Sequence, residues 1–153
     1  MSEIEHLETF KATAEGKGWP TAVAITGTEW KLQVDESEED GGSNTGPNPM
    51  QYFTASLASC QNEQAQVVAE ELEITIDKID ISLEVDLNLD GFMGVDDHSE
   101  NCFKRAELVA IVHGNVSKDQ VAELGKAVDK RCPILSVLRN SGCEIKSSWS
   151  LSE

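Results

Sequence analysis

Gly41-Gly42-Ser43-Asn44-Thr45-Gly46-Pro47-Asn48-Pro49-Met50-Gln51-Tyr52-Phe53-Thr54-Ala55-Ser56-Leu57-Ala58-Ser59-Cys60-Gln61 is the stretch from which the fold can be read. It opens as a glycine-rich loop in which Gly41, Gly42 and Gly46 can take backbone angles that other residues avoid. Asn48-Pro49 then marks a helix start: Asn caps free N–H groups, and Pro fits the first helical position, where a missing N–H costs nothing. From Met50 the composition is helical and almost uncharged, with Phe53, Ala55, Leu57, Ala58 and Cys60 on several faces. A helix apolar on most sides is a buried one, and this one should run to about Leu72.

Upstream, residues 9–14 alternate with Phe10, Ala12 and Ala14 on one face and predict a strand, and residues 15–18 a turn. Residues 21–26 predict a second strand, and Trp30, Leu32 and Val34 alternate in a third. The acidic run 35–40 reads as a solvated loop. Downstream, Ile79, Ile81, Leu83, Val85, Leu87 and Leu89 alternate with polar residues, the pattern of a strand with one buried face. A polar connection over 91–101, holding His98, leads to a return strand over 103–115. Ser117-Lys118-Asp119-Gln120 is a capping box, and Val121, Leu124 and Val128 follow at helical spacing. Cys132-Pro133 interrupts that helix, because a residue before Pro avoids the helical region. A short helix over 134–140 and a closing strand with Cys143, Ile145, Trp149 and Leu151 complete the order β-β-β-α-β-β-α-α-β. With no repeat, linker or second core, residues 1–153 read as a single α+β domain. The central helix is too apolar for a small monomer to cover, which favours an obligate dimer.

The totals narrow the function. Twelve basic against 28 acidic residues give a net charge of −16, which repels nucleic acid and anionic lipid. The N-terminus lacks the basic start and apolar run of a signal peptide, and the longest aliphatic run, 108–112, is far too short to span a bilayer. A soluble, cytoplasmic protein is the expectation. Cys60, Cys102, Cys132 and Cys143 are widely spaced and form no C-x-x-C pair, so a disulfide framework is not expected.

Chemistry comes down to the thiols. His6, His98 and His113 are scattered with no ligand at metal spacing, so no metal or bound cofactor is expected. No G-x-S-x-G, S-x-x-K or H-E-x-x-H occurs, and the glycine loop lacks the Lys-Ser/Thr of a phosphate loop. Cys60 ends the neutral sequence of the central helix, where the dipole of that helix has faded, so an activated Cys60 needs a cation from elsewhere. Cys132 follows Lys130-Arg131 at a helix break, and positive charge lowers a thiol pKa. Cys143 reads as core and Cys102 as a surface thiol.

The loop G-G-x-x-x-G-P-N-P, then Leu-Ala-Ser-Cys at Cys60, then Arg-Cys-Pro at Cys132, resembles the OsmC/Ohr family over nearly the whole chain. That resemblance implies an intertwined α+β homodimer, with antiparallel sheets wrapped around long central helices and active sites at the interface. It also implies a thiol peroxidase that reduces organic hydroperoxides in oxidative-stress defence. Cys60 would be the peroxidatic thiolate, oxidised to a sulfenic acid, Cys132 would resolve it to a disulfide, and an external dithiol of lipoyl type would restore both. Peroxidase members pair an Arg of the first hairpin turn with a Glu at the start of the central helix. Here Lys17 and Gln51 stand at those positions, and Lys cannot make the planar, bidentate contacts of Arg. Arg131 and Arg139, flanking Cys132, are alternative cations. A second reading is a non-peroxidatic protein on the same fold, binding an apolar small molecule in an interface pocket lined by Met50, Phe53, Leu57 and Val137.

Overall fold

The computed structural model describes residues 6–153, so the reading of the N-terminus lies, apart from His6, outside the described residues. The chain forms two compact units, one ending at Tyr52 and the other beginning at Phe53. In the first, β1 (Ala12–Glu15), β2 (Thr21–Ile25) and β3 (Lys31–Val34) make an antiparallel meander. Thr13 faces Ala24 in the first pairing and Val23 faces Leu32 in the second. β1 is shorter than the alternation predicts and buries neither face; Phe10, expected to point inward, precedes it and stays 84% exposed.

Asp35, expected in solvent with the acidic run, is instead wholly buried and latches the glycine loop. Its carboxylate accepts from the Thr45 hydroxyl (2.6 Å), the Thr45 amide (3.0 Å), the Ser43 amide (3.2 Å) and the Glu36 amide (2.9 Å). The glycines follow from that closeness. At Gly42 a Cβ would be driven into the Glu36 carbonyl and at Gly46 into that of Gln33, whereas of these three only Gly41 uses a positive φ, +88°. The Thr45 hydroxyl, then its amide, hold the Asp35 carboxyl at about 2, below its ordinary 3.8. A depressed pKa stabilises the fold above the ordinary value, and that stabilisation is lost as pH falls through the depressed one. Loop mobility, followed by 15N relaxation at Ser43 and Thr45, is therefore expected to stay constant down to about pH 3.8 and to rise towards pH 2.

α1 (Pro49–Glu71) begins where the Asn-Pro signal places it. The Asn48 side chain accepts from the Gln51 amide and the Gln51 side chain accepts from the Asn48 amide, both at 2.8 Å, so the two close a reciprocal cap. The helix runs on through the second unit, where β4 (Lys78–Leu87) pairs antiparallel with β5 (Phe103–His113). The strand pattern overshoots by one residue pair. Leu89 opens a short helix, α2 (Leu89–Phe92), capped by Asn88, and lies exposed where the alternation predicts a buried strand residue. α3 (Lys118–Arg131) carries the predicted capping box, and α4 (Pro133–Asn140) follows at once. These two helices form the crossover that lets β6 (Glu144–Leu151) join β5 in parallel, so the second sheet is mixed rather than wholly antiparallel.

The core of this unit has two parts. In one, Ala65, Val68 and Ala69 of α1 share a cluster with Leu108, Ala110 and Val112 of β5 and Val121, Leu124 and Val128 of α3. The other gathers Leu57, Ala106, Cys132, Leu135, Leu138 and Cys143. Between Leu57 and Ala65 on the same buried face of α1 sits Gln61, fully buried, with no partner for either side-chain polar atom among the described residues. An unpaired buried amide costs about 1–3 kcal/mol. Gln61→Leu is therefore expected to raise stability by about that much, read as a thermal melt shifted upward. Among the described residues no helix is long and apolar enough to cross a membrane.

Candidate functional site

Cys132 is where the second unit turns its sequence into a site. Its backbone is extended (φ −64°, ψ 113°), as the following Pro requires, and it caps α3 and α4 at once. Its amide donates to the Val128 carbonyl (3.0 Å), closing α3, and its carbonyl accepts from Ser136 (3.1 Å), opening α4. In the place of the usual Ser or Asp oxygen, its sulfur accepts the Leu135 amide at 3.4 Å. Pro133 takes the first helical position, where no N–H is missed.

Cys60 projects from α1 to the same point. The Cys132 Sγ donates to the Cys60 Sγ across 3.1 Å, and the two thiols are free. A disulfide needs roughly 2.05 Å, so closing the pair takes an approach of about 1 Å. Cys132 is buried and Cys60 half-buried. Burial pushes the Cys60 thiol up, to about 12, and the neighbouring Cys132 and Glu63 push the same way. The backbone N–H of Ile134, one residue into α4, pulls it down. The donors that face the sulfur pair are thus N–H groups at the start of α4, that of Ile134 at Cys60, where burial outweighs it, and that of Leu135 at Cys132.

The other residues singled out in the sequence lie elsewhere. Arg131 adjoins Cys132 in the chain, but its guanidinium is bound to Glu71 at 2.7 Å, tying the ends of α3 and α1 together. That pairing raises the Arg131 pKa and holds the Glu71 carboxyl below the usual range. Arg139 donates to the Asp129 carbonyl at 3.2 Å. Gln51 serves the cap of α1, and Lys17 is an exposed residue of the β1–β2 turn. Of the pocket residues in the second reading, Leu57 is wholly buried in the core, Phe53 stacks on Phe103 with ring centroids 5.0 Å apart, and Val137 is exposed. Cys143 is buried in the cluster that holds Cys132, and burial raises its pKa; Cys102 is half-buried beside Glu100. Among the described residues no group of three or more His, Cys, Asp or Glu is placed to hold a metal ion.

Sequence reasoning missed the amides of Ile134 and Leu135, although a signal for them exists. Cys-Pro at a helix break places a sulfur at the N-cap and Pro at the first position, which leaves the next two N–H groups free, that of Leu135 for the Cys132 sulfur and that of Ile134 for Cys60. The burial of Gln61 has no such signal, because a single Gln in an apolar helix carries no periodicity.

The family model of OsmC-like proteins matches residues 41–148. No curated protein matches the chain. Among solved structures, the organic hydroperoxide resistance protein OsmC of Legionella pneumophila, also described as a predicted redox protein, is 25% identical. The match covers 97% of this chain and 100% of that one, with a TM-score of 0.74. An OsmC-like protein of Mycoplasma pneumoniae is 18% identical over 95% of this chain and 99% of that one, with a TM-score of 0.81. An organic hydroperoxide resistance protein of Elizabethkingia anophelis with bound thiocyanate is 21% identical, over 98% and 99%, with a TM-score of 0.76. The fold is that of OsmC and Ohr proteins.

Proposed function

The chain belongs to the OsmC-like protein family, and on that footing we propose that it is a thiol peroxidase acting on organic hydroperoxides. The observation that carries the reading is the 3.1 Å contact between Cys60 and Cys132 at the start of α4. The Cys60 thiolate attacks the terminal oxygen of ROOH; the O–O bond breaks, the terminal OH passes to the sulfur as a sulfenic acid, and the alkoxide leaves as ROH by taking up the proton that the thiol released on ionising. Cys132 then attacks the sulfenic sulfur, releasing water and closing the disulfide. An external dithiol, of lipoyl type by family resemblance, returns two electrons and two protons. The names of the Legionella and Elizabethkingia proteins support peroxide defence as the setting. The reaction suits a reducing cytoplasm, where the pair can be reset.

A homodimer belongs to the same proposal. Phe10 and Trp30 in the first unit, and Leu89, Phe92, Met93 and Val95 in the second, lie exposed in the single chain. So much large apolar surface calls for cover, and a second copy supplies it.

Adding one equivalent of cumene hydroperoxide to the fully reduced protein, followed by thiol titration and peptide mapping, tests the reaction. Loss of two of the four thiols with a Cys60–Cys132 linkage is expected; four thiols still free would overturn the proposal. The raised Cys60 pKa also fixes a pH profile. Only the thiolate attacks, so below about 12 the rate of peroxide consumption should climb roughly tenfold per pH unit. A rate flat from pH 6 to 9 would show that a cation has already ionised the thiol.

A further inference from the structure

We propose that a second cleft, between α3, α4 and β6 in the second unit, binds a small aromatic anion. The cleft is open to solvent on one side and has a volume of about 530 Å³, within the range of small-molecule sites, and neither Cys60 nor Cys132 lines it. Its walls carry Lys126, Lys130 and Arg139 against a single carboxylate, Asp129. This is a locally positive site on a chain of net charge −16.

The charges are left available. Lys126 and Lys130 make no ion pair among the described residues, in a protein with 28 acidic residues to offer. Arg139 donates through Nη2 to the Asp129 carbonyl at 3.2 Å, which fixes the guanidinium at the end of the cleft and leaves its other N–H groups for a ligand. The Asp129 carboxylate accepts the Trp149 indole N–H at 3.4 Å. The one negative group of the lining is thereby engaged by the ring N–H, against three cations.

Trp149 supplies the flat wall. It packs partly into the core of α1, β5 and α3, and Gly125 lies so close to its ring that any Cβ there would collide with it. The indole is held rigidly before a ligand arrives, which lowers the ordering cost of stacking. A ring on Trp149 with an acidic group among Lys126, Lys130 and Arg139 satisfies both halves of the site. An aliphatic cation satisfies neither.

Phenyl phosphate, with inorganic phosphate and phenol as its separate halves, is a direct probe on the reduced protein and needs no peroxide turnover. Saturable 15N shifts of the Trp149 indole N–H and the Gly125 amide are expected with phenyl phosphate, at least about tenfold tighter than with either half. Lys126 and Lys130 are exposed, so K126Q/K130Q should keep the native spectrum while weakening binding by at least about tenfold. No saturable shift at these two positions, or shifts that survive K126Q/K130Q, would overturn the site. Inorganic phosphate binding as tightly as phenyl phosphate would overturn its aromatic specificity.

Discussion

Cys60→Ser is expected to abolish hydroperoxide-dependent thiol loss and to leave peroxide consumption at the uncatalysed level. A serine hydroxyl at this place cannot reduce an O–O bond, and Cys132, fully buried, cannot take over the attack. Cys132→Ser separates the two steps. Cys60 should still react once, and the sulfenic acid, with no partner at 3.1 Å, should accumulate and be captured by dimedone in a one-to-one adduct. Mass spectrometry of the labelled peptide reads both variants. A Cys60→Ser protein that still consumes peroxide would move the chemistry to another thiol. The serine in Cys132→Ser keeps an N-cap acceptor for the Leu135 amide, so a loss of resolution there reflects the missing sulfur rather than a damaged helix.

The second large effect is structural. Gly125→Ala places a methyl group against the Trp149 ring, a rigid neighbour that is itself lodged partly in the core. Overpacking of this kind costs about 3 kcal/mol, which in a chain of this size lowers Tm by roughly 6–12 °C. A calorimetric melt checks it. A matched control is Ala122→Gly, an exposed position one turn earlier on the same helix, where intrinsic helix propensity is lost, about 1 kcal/mol.

Much of the chain from Asn48 onward was legible because its signals are local and periodic. The Asn48-Pro49 start, the Ser117 to Gln120 box and the alternation from Ile79 to Leu87 each state their own structure within a few residues. Leu89 misled because alternation has no end marker of its own; Asn88 stops the strand by capping a helix, which only becomes evident once its side chain accepts the Asp90 amide. Asp35 misled for a related reason. An acidic run looks alike throughout, and which member turns inward is decided by Ser43 and Thr45, eight and ten residues on. The family motifs singled out Cys60 and Cys132, but not the manner of their meeting. A helix corner that presents its sulfur and two amides together is a product of three-dimensional packing. Arg131 shows the converse: adjacency to Cys132 in the chain says little when Glu71, sixty residues earlier, binds the guanidinium.

The contact between residues so far apart in sequence has a consequence for the oxidised chain. A bond from Cys60 to Cys132 would tie roughly seventy residues, including all of β4, β5 and α3, into a covalent ring. Ring closure of that size removes about 4 kcal/mol worth of freedom from the denatured ensemble. The oxidised protein would then resist unfolding better than the reduced one, and each reducing equivalent delivered to the pair would also loosen the chain that receives it.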